Sequence, residues 1–88
     1  MEHVSVWTAT IYLEEHDHQT SARVRLDTKD NHIEGYGVAR CHPHDRDVSR
    51  IGDELAVARA LSDLAHKLFD ATVGDIEAMT HERSALRS

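Results

Sequence analysis

The chain is poor in cysteine, in long apolar runs and in positive charge. It has one cysteine, so Cys41 cannot close an internal disulfide, and a reducing compartment is the simple reading. No stretch approaches the roughly 18 apolar residues that a membrane-spanning helix requires. The opening MEHVSVWTAT lacks the basic start and apolar run of a secretory signal. These absences together lead to the expectation of a soluble cytoplasmic protein with no membrane partner. Positive charge is also in deficit: ten basic residues stand against sixteen acidic ones, giving a formal charge of -6. A negative chain is repelled by nucleic acid and by anionic lipid, although a local basic patch remains compatible with it.

Eighty-eight residues suffice for one domain. A chain of that size buries only roughly 60–65% of its unfolded surface, so the core is one layer thick and leaves little room for an enclosed active site. The domain is read over residues 1–80. Residues 81–88 show no pattern and read as a flexible tail.

What is present is a clear succession of periods. Val4 to Leu13 alternates, with Trp7, Ala9, Ile11 and Leu13 on one side, and reads as a strand. Glu14 to Gln19 is a charged turn. Thr20 to Asp27 is a second strand, with Ala22, Val24 and Leu26 inward and Ser21, Arg23, Arg25 and Asp27 outward. Thr28 to Asn31 has the composition of a turn. His32 to Cys41 is a third strand. Its Ile33, Gly35, Gly37 and Ala39 side is small, implying either a close approach by another element or a bulge; close approach is the expectation. A loop with Pro43 follows.

From Gly52 to Phe69 the period changes to that of a helix. Ile51, Leu55, Ala58, Leu61, Ala65, Leu68 and Phe69 form the expected core stripe. Asp53, Glu54, Arg59, Asp63, His66, Lys67 and Asp70 form the expected wet side, with Asp63 and Lys67 at ion-pair spacing. Asp47, Ser49 and Asp53 are candidate N-caps, and Asp53 and Glu54 are expected in the first turn. Gly74 is read as a stop and Ile76 to Thr80 as a short second helix. The result is an α+β domain: a three-stranded antiparallel meander packed on one face by a long C-terminal helix followed by a short helix.

The run IGDELAVARALSDLA at Ile51 to Ala65, supported by GYGVAR at Gly35 to Arg40, resembles a small actinobacterial family of unknown function. That resemblance implies a fold like the double-stranded-RNA-binding domain. It brings no activity, cofactor or functional residue. Duplex-RNA binding is disfavoured in any case, since Asp53 and Glu54 stand where the RNA-binding domains place lysines against phosphate.

The sheet face turned away from the helix is the candidate site. Tyr12, Arg23, Arg25, Tyr36 and Arg40 fall there with Thr8 and Thr10. Aromatic rings and guanidinium groups on an open sheet suit single-stranded nucleic acid or a small ligand. The competing reading pairs the arginines with Glu34 and Asp27 and gives the half-apolar face, or a strand edge, to self-association. Association is favoured, so the chain reads as a non-enzymatic interaction or regulatory module that forms a homo-oligomer or binds another protein. Nucleic-acid or ligand binding is the alternative.

Metal and catalytic readings are weaker. His16 and His18 would share a face only if the strand reached them, and Cys41, His42 and His44 flank Pro43 without a zinc-type spacing. Neither cluster is read as a metal site. Cys41 is read as a small hydrophobe, no carboxylate pair lies in apolar sequence, and no cofactor is expected. Protonating all eight histidines would reverse the sign of the net charge, which supports pH sensing only weakly.

Overall fold

The structure, a computed structural model, describes residues 2–40 and 49–87. Three strands, β1 (Thr8–His16), β2 (Gln19–Asp27) and β3 (His32–Arg40), precede one helix, α1 (Ser49–Arg87). The sheet order is β1-β2-β3, antiparallel throughout. This is the α+β meander with one covered face that the alternation predicts. The Cys41, His42 and His44 cluster, Pro43 and the Asp47 cap lie outside the described residues.

The connections follow from local chemistry. β1 runs on to His16, and the turn to β2 is only Asp17 and His18, with φ of 46° and 60°. Two successive left-handed residues make the tight hairpin whose twist matches the strands, and Asp and His are among the residues that tolerate it. The expected charged turn over Glu14 to Gln19 is therefore shorter than the polarity suggested. His16 stays in the strand and His18 lies in the turn, so the two imidazoles do not share a strand face. The second turn is as expected: the Thr28 N–H donates to the Asn31 carbonyl at 2.9 Å and the Asn31 N–H to Thr28 Oγ1 at 3.2 Å.

The helix presents a different face from the one its bulky residues predict. Ala56, Ala60 and Leu64 are buried against Ala22, Val24 and Ala39, and Gly52 is buried as well. Gly52, Ala56, Ala60 and Leu64 recur every four residues, a continuous ridge on one side of a helix. Ile51 is 62% exposed and Phe69 72%, while Leu55, Leu61, Ala58 and Ala65 also face outward. Of the predicted stripe, Leu68 alone packs against the core.

The cause lies in β3. A Cβ built on Gly37 would run into the Ala56 carbonyl and the Ala60 nitrogen, and one on Gly35 into the Ala60 carbonyl and, at 2.7 Å, the Leu64 Cβ. The helix backbone is seated directly on the strand, so close approach, not a bulge, explains the glycines. Contact at that range admits only small side chains, which pushes the large ones to the flank.

The same closeness closes one sheet edge. β3 is an edge strand, and its outward backbone groups would otherwise be open to another chain. Three side chains one turn apart on α1 reach them. Arg59 Nη1 donates to the Val38 carbonyl at 2.7 Å, the Tyr36 N–H donates to Asp63 Oδ2 at 2.8 Å, and Lys67 Nζ donates to the Glu34 carbonyl at 2.9 Å. Asp63 and Lys67 also pair at 2.9 Å, as their spacing predicts. These residues, read from sequence as a wet side, take the place of a fourth strand.

α1 is one helix, not two. Gly74 continues it with no positive φ, and residues 81–87 are helical. A single interior glycine costs about 1 kcal/mol relative to alanine, too little to stop a helix built from good formers on both sides. The first turn holds no acidic residue, because the helix begins at Ser49 and places Asp53 and Glu54 in the second turn.

Two outcomes follow. Gly37→Ala should lower stability by about 1–3 kcal/mol and Gly37→Val by more, read as a shift of the urea midpoint, since the obstacle is helix backbone. Asp63→Ala should speed hydrogen exchange at the Tyr36 amide and lower the thermal midpoint at neutral pH. The Lys67 bond and then the Tyr36 N–H hold the Asp63 carboxyl below its ordinary value of 3.8. Its contribution is therefore present above that pH and lost as pH falls through the lower folded value, and the Asp63→Ala protein should lack that acid-side loss.

Candidate functional site

The five residues singled out on the outer sheet face do share it. Tyr12, Arg23 and Tyr36 are direct cross-strand partners in one row. Arg25 lies two positions from Arg23 along β2. Arg40 is four positions from Tyr36 along β3, roughly 13 Å away, so it does not join the cluster.

Within the cluster the arginines are already engaged. The Arg23 guanidinium sits 4.3 Å from the Tyr12 ring centroid and donates through Nη1 to Glu34 Oε1 at 3.2 Å. Arg25 Nε donates to Asp27 Oδ1 at 3.0 Å, a bond that raises the arginine further above its ordinary value. The Tyr36 hydroxyl donates to Glu34 Oε2 at 2.5 Å, and Lys67 Nζ lies 4.9 Å from the Tyr36 ring centroid. That hydroxyl, ahead of the Arg23 charge, holds Glu34 below the usual carboxylate range and raises the Tyr36 phenol in turn. Each cation has a carboxylate partner and each ring has a cation beside it. A ligand's phosphate or base would have to displace these contacts rather than fill open positions.

The helix-facing side of β1 is a second surface, and no element covers it among the described residues. Ala9, Ile11, Leu13 and Glu15 are opposite Leu26, Val24, Ala22 and Thr20, on the side where α1 packs, yet every residue of β1 is exposed. An α-helix about 10–12 Å across spans two strands spaced about 4.8 Å apart. With α1 seated on β3 and β2, the third strand is left bare. Between β1 and the helix flank runs a groove of about 420 Å³ lined by Leu13, Asp53, Glu54, Val57, Ala58 and Leu61. Trp7, expected inward, precedes β1 and is half exposed.

One end of the groove is acidic. The Glu15 carboxyl is raised above its ordinary 4.5 by the Asp53 carboxyl beside it. Asp53 Oδ1 is buried without a hydrogen-bond partner among the described residues. No carboxylate pair lies in apolar sequence, and these partners come instead from β1 and α1, thirty-eight positions apart, where spacing along one element could not reveal them. The groove itself was missed for the same reason as the helix face. The available signal was the four-residue recurrence of Gly52, Ala56, Ala60 and Leu64 opposite Gly35 and Gly37. No group of three or more metal-ligating side chains occurs among the described residues, and no helix is long and apolar enough to cross a membrane.

The raised Glu15 sets a pH dependence of opposite sign to that of Asp63. A carboxyl raised by folding favours the folded state below its ordinary value and loses that advantage as pH rises through the folded value. Glu15→Gln should therefore raise the thermal midpoint at neutral pH, with the gain disappearing below about pH 4.

The geometry has close counterparts. A solved crystal structure titled Rv2632c superposes with a TM-score of 0.83 at 50% identity, covering 92% of this chain and 98% of that one. The uncharacterised protein Rv2632c of Mycobacterium tuberculosis strain H37Rv is 53% identical over 72 residues, 82% of this chain and 77% of its own. The uncharacterised protein MT1780 of M. tuberculosis strain CDC 1551 is 46% identical over 80 residues, 91% of this chain and 85% of its own. A family model described as Rv2632c-like matches residues 5–85, and on these grounds the chain belongs to the Rv2632c-like family.

Proposed function

We propose that this protein is a non-enzymatic interaction module of the cytoplasm that works by self-association. The observation that carries the reading is the bare apolar strip along β1 and the adjoining helix flank, where Ile11, Leu13 and Leu61 remain about half exposed although they lie on the side of the sheet that forms the core. Apolar surface of that extent is stabilised by burial at roughly 25 cal/mol per Å². It marks a place for another protein surface more readily than for a polar substrate. The outer sheet face and a strand edge were the surfaces expected from sequence. The outer face is occupied by its own ion pairs, and the β3 edge is closed by Arg59, Asp63 and Lys67, which turns the reading toward the helix side of β1.

The alternative, single-stranded nucleic acid or a small ligand on Tyr12, Arg23, Arg25, Tyr36 and Arg40, requires breaking the Arg23–Glu34 and Arg25–Asp27 pairs. Two measurements distinguish the readings. Light scattering of the intact protein should give a mass above that of one chain, falling on dilution; a single-chain mass at every concentration would contradict the proposal. Replacing Arg23 and Arg25 by glutamate should leave that mass unchanged, whereas loss of retention on a single-stranded oligonucleotide column after the same change would favour the alternative.

A further inference from the structure

The reading above leaves open what covers the β1 strip, and the helix supplies an occupant. α1 has 39 residues, about 58 Å of helix, against nine-residue strands of about 30 Å. Its first half is seated on β2 and β3; every described side chain from Phe69 to His81 is exposed. The second half projects as an arm. The Cα radius of gyration is 18.5 Å, where a compact chain of this length has about 12 Å. The arm is not uniformly polar: Phe69, Val73, Ile76 and Met79 recur at four- and three-residue steps and line one face, each more than half exposed.

We infer that the arm of one copy lies in the β1 groove of a second copy, and reciprocally, making a twofold dimer in which two α1 helices run antiparallel. The inference rests on the self-association reading and names its geometry. Arm and strip are similar in length, since the apolar face from Phe69 to Met79 spans about 15 Å and Ala9 to Glu15 about 20 Å. They cannot meet within one chain, because α1 continues past the sheet without a turn.

Direction agrees as well. α1 runs antiparallel to β3, with Arg59, Asp63 and Lys67 meeting Val38, Tyr36 and Glu34 in turn, and hence antiparallel to β1. A partner arm antiparallel to α1 enters at the Ala9 end of the groove and finishes at the Glu15 end. That is the end where Glu15, Glu54 and the Asp53 oxygen lie. Two 39-residue helices overlapping fully place the dyad at residue 68, beside Phe69, so that Leu61 of one copy comes near Ile76 of the other. Both strip and arm offer exposed apolar side chains, from 43% at Leu61 to 72% at Phe69, so their mutual burial favours the dimer.

The test uses the full chain with Cys41→Ser and cysteines at Leu61→Cys and Ile76→Cys. Within one chain these lie about 22 Å apart along the same helix and cannot bridge. Oxidation should yield a covalent dimer on a non-reducing gel, and Ile76→Asp in the otherwise native chain should weaken association at least about 30-fold while leaving helical circular dichroism unchanged. A protein that associates by light scattering but neither cross-links at this pair nor responds to Ile76→Asp would overturn the arm docking and leave self-association standing. A protein that stays single-chain at all concentrations would overturn both.

Discussion

Everything in this fold depends on how near the α1 backbone comes to β3. With no side chain at Gly35 and Gly37, the helix settles onto the strand through Ala56 and Ala60. The core that results is thin: among the described residues Val24 is its one large side chain with no exposed surface. Stability therefore comes less from bulk than from a tightly packed main-chain contact, reinforced by the three polar side chains that close the β3 edge.

That seating has a cost elsewhere in the sheet. A helix pressed onto β3 and β2 cannot also cover β1, and the small residues that permit the contact displace Leu55, Leu61 and Phe69 toward solvent. The bare strand, the exposed flank and the overlong helix are three consequences of one packing choice. Among the described residues no element covers them, which is the physical basis of the proposed self-association.

The sheet order and strand faces were legible in the sequence because alternation reports them directly, with Ala22, Val24 and Leu26 inward and Tyr12, Arg23, Arg25, Tyr36 and Arg40 opposite, whereas β1, read as Val4 to Leu13, runs Thr8–His16. The phase of the helix was not legible from hydrophobicity. A search for bulky residues finds Ile51, Leu55 and Leu61, whereas the contact requires Gly52, Ala56 and Ala60, recognisable only when β3's glycines are taken as their counterpart. Gly74 misled for a related reason, since a weak local preference for a break was outweighed by the helix formers around it. Arg59, Asp63 and Lys67 read as solvated, because their partners are backbone groups of another element. Glu15 and Asp53 meet only in three dimensions, so the acidic end of the groove had no sequence signature.

The most direct test of the account is amide hydrogen exchange over residues 70–81 of the unaltered protein, measured at high and low concentration. A helix arm held in a second copy should exchange slowly in the concentrated sample and lose that protection on dilution, while the Ala56–Leu64 segment stays protected in both. Equal, rapid exchange of the arm at both concentrations would contradict the account.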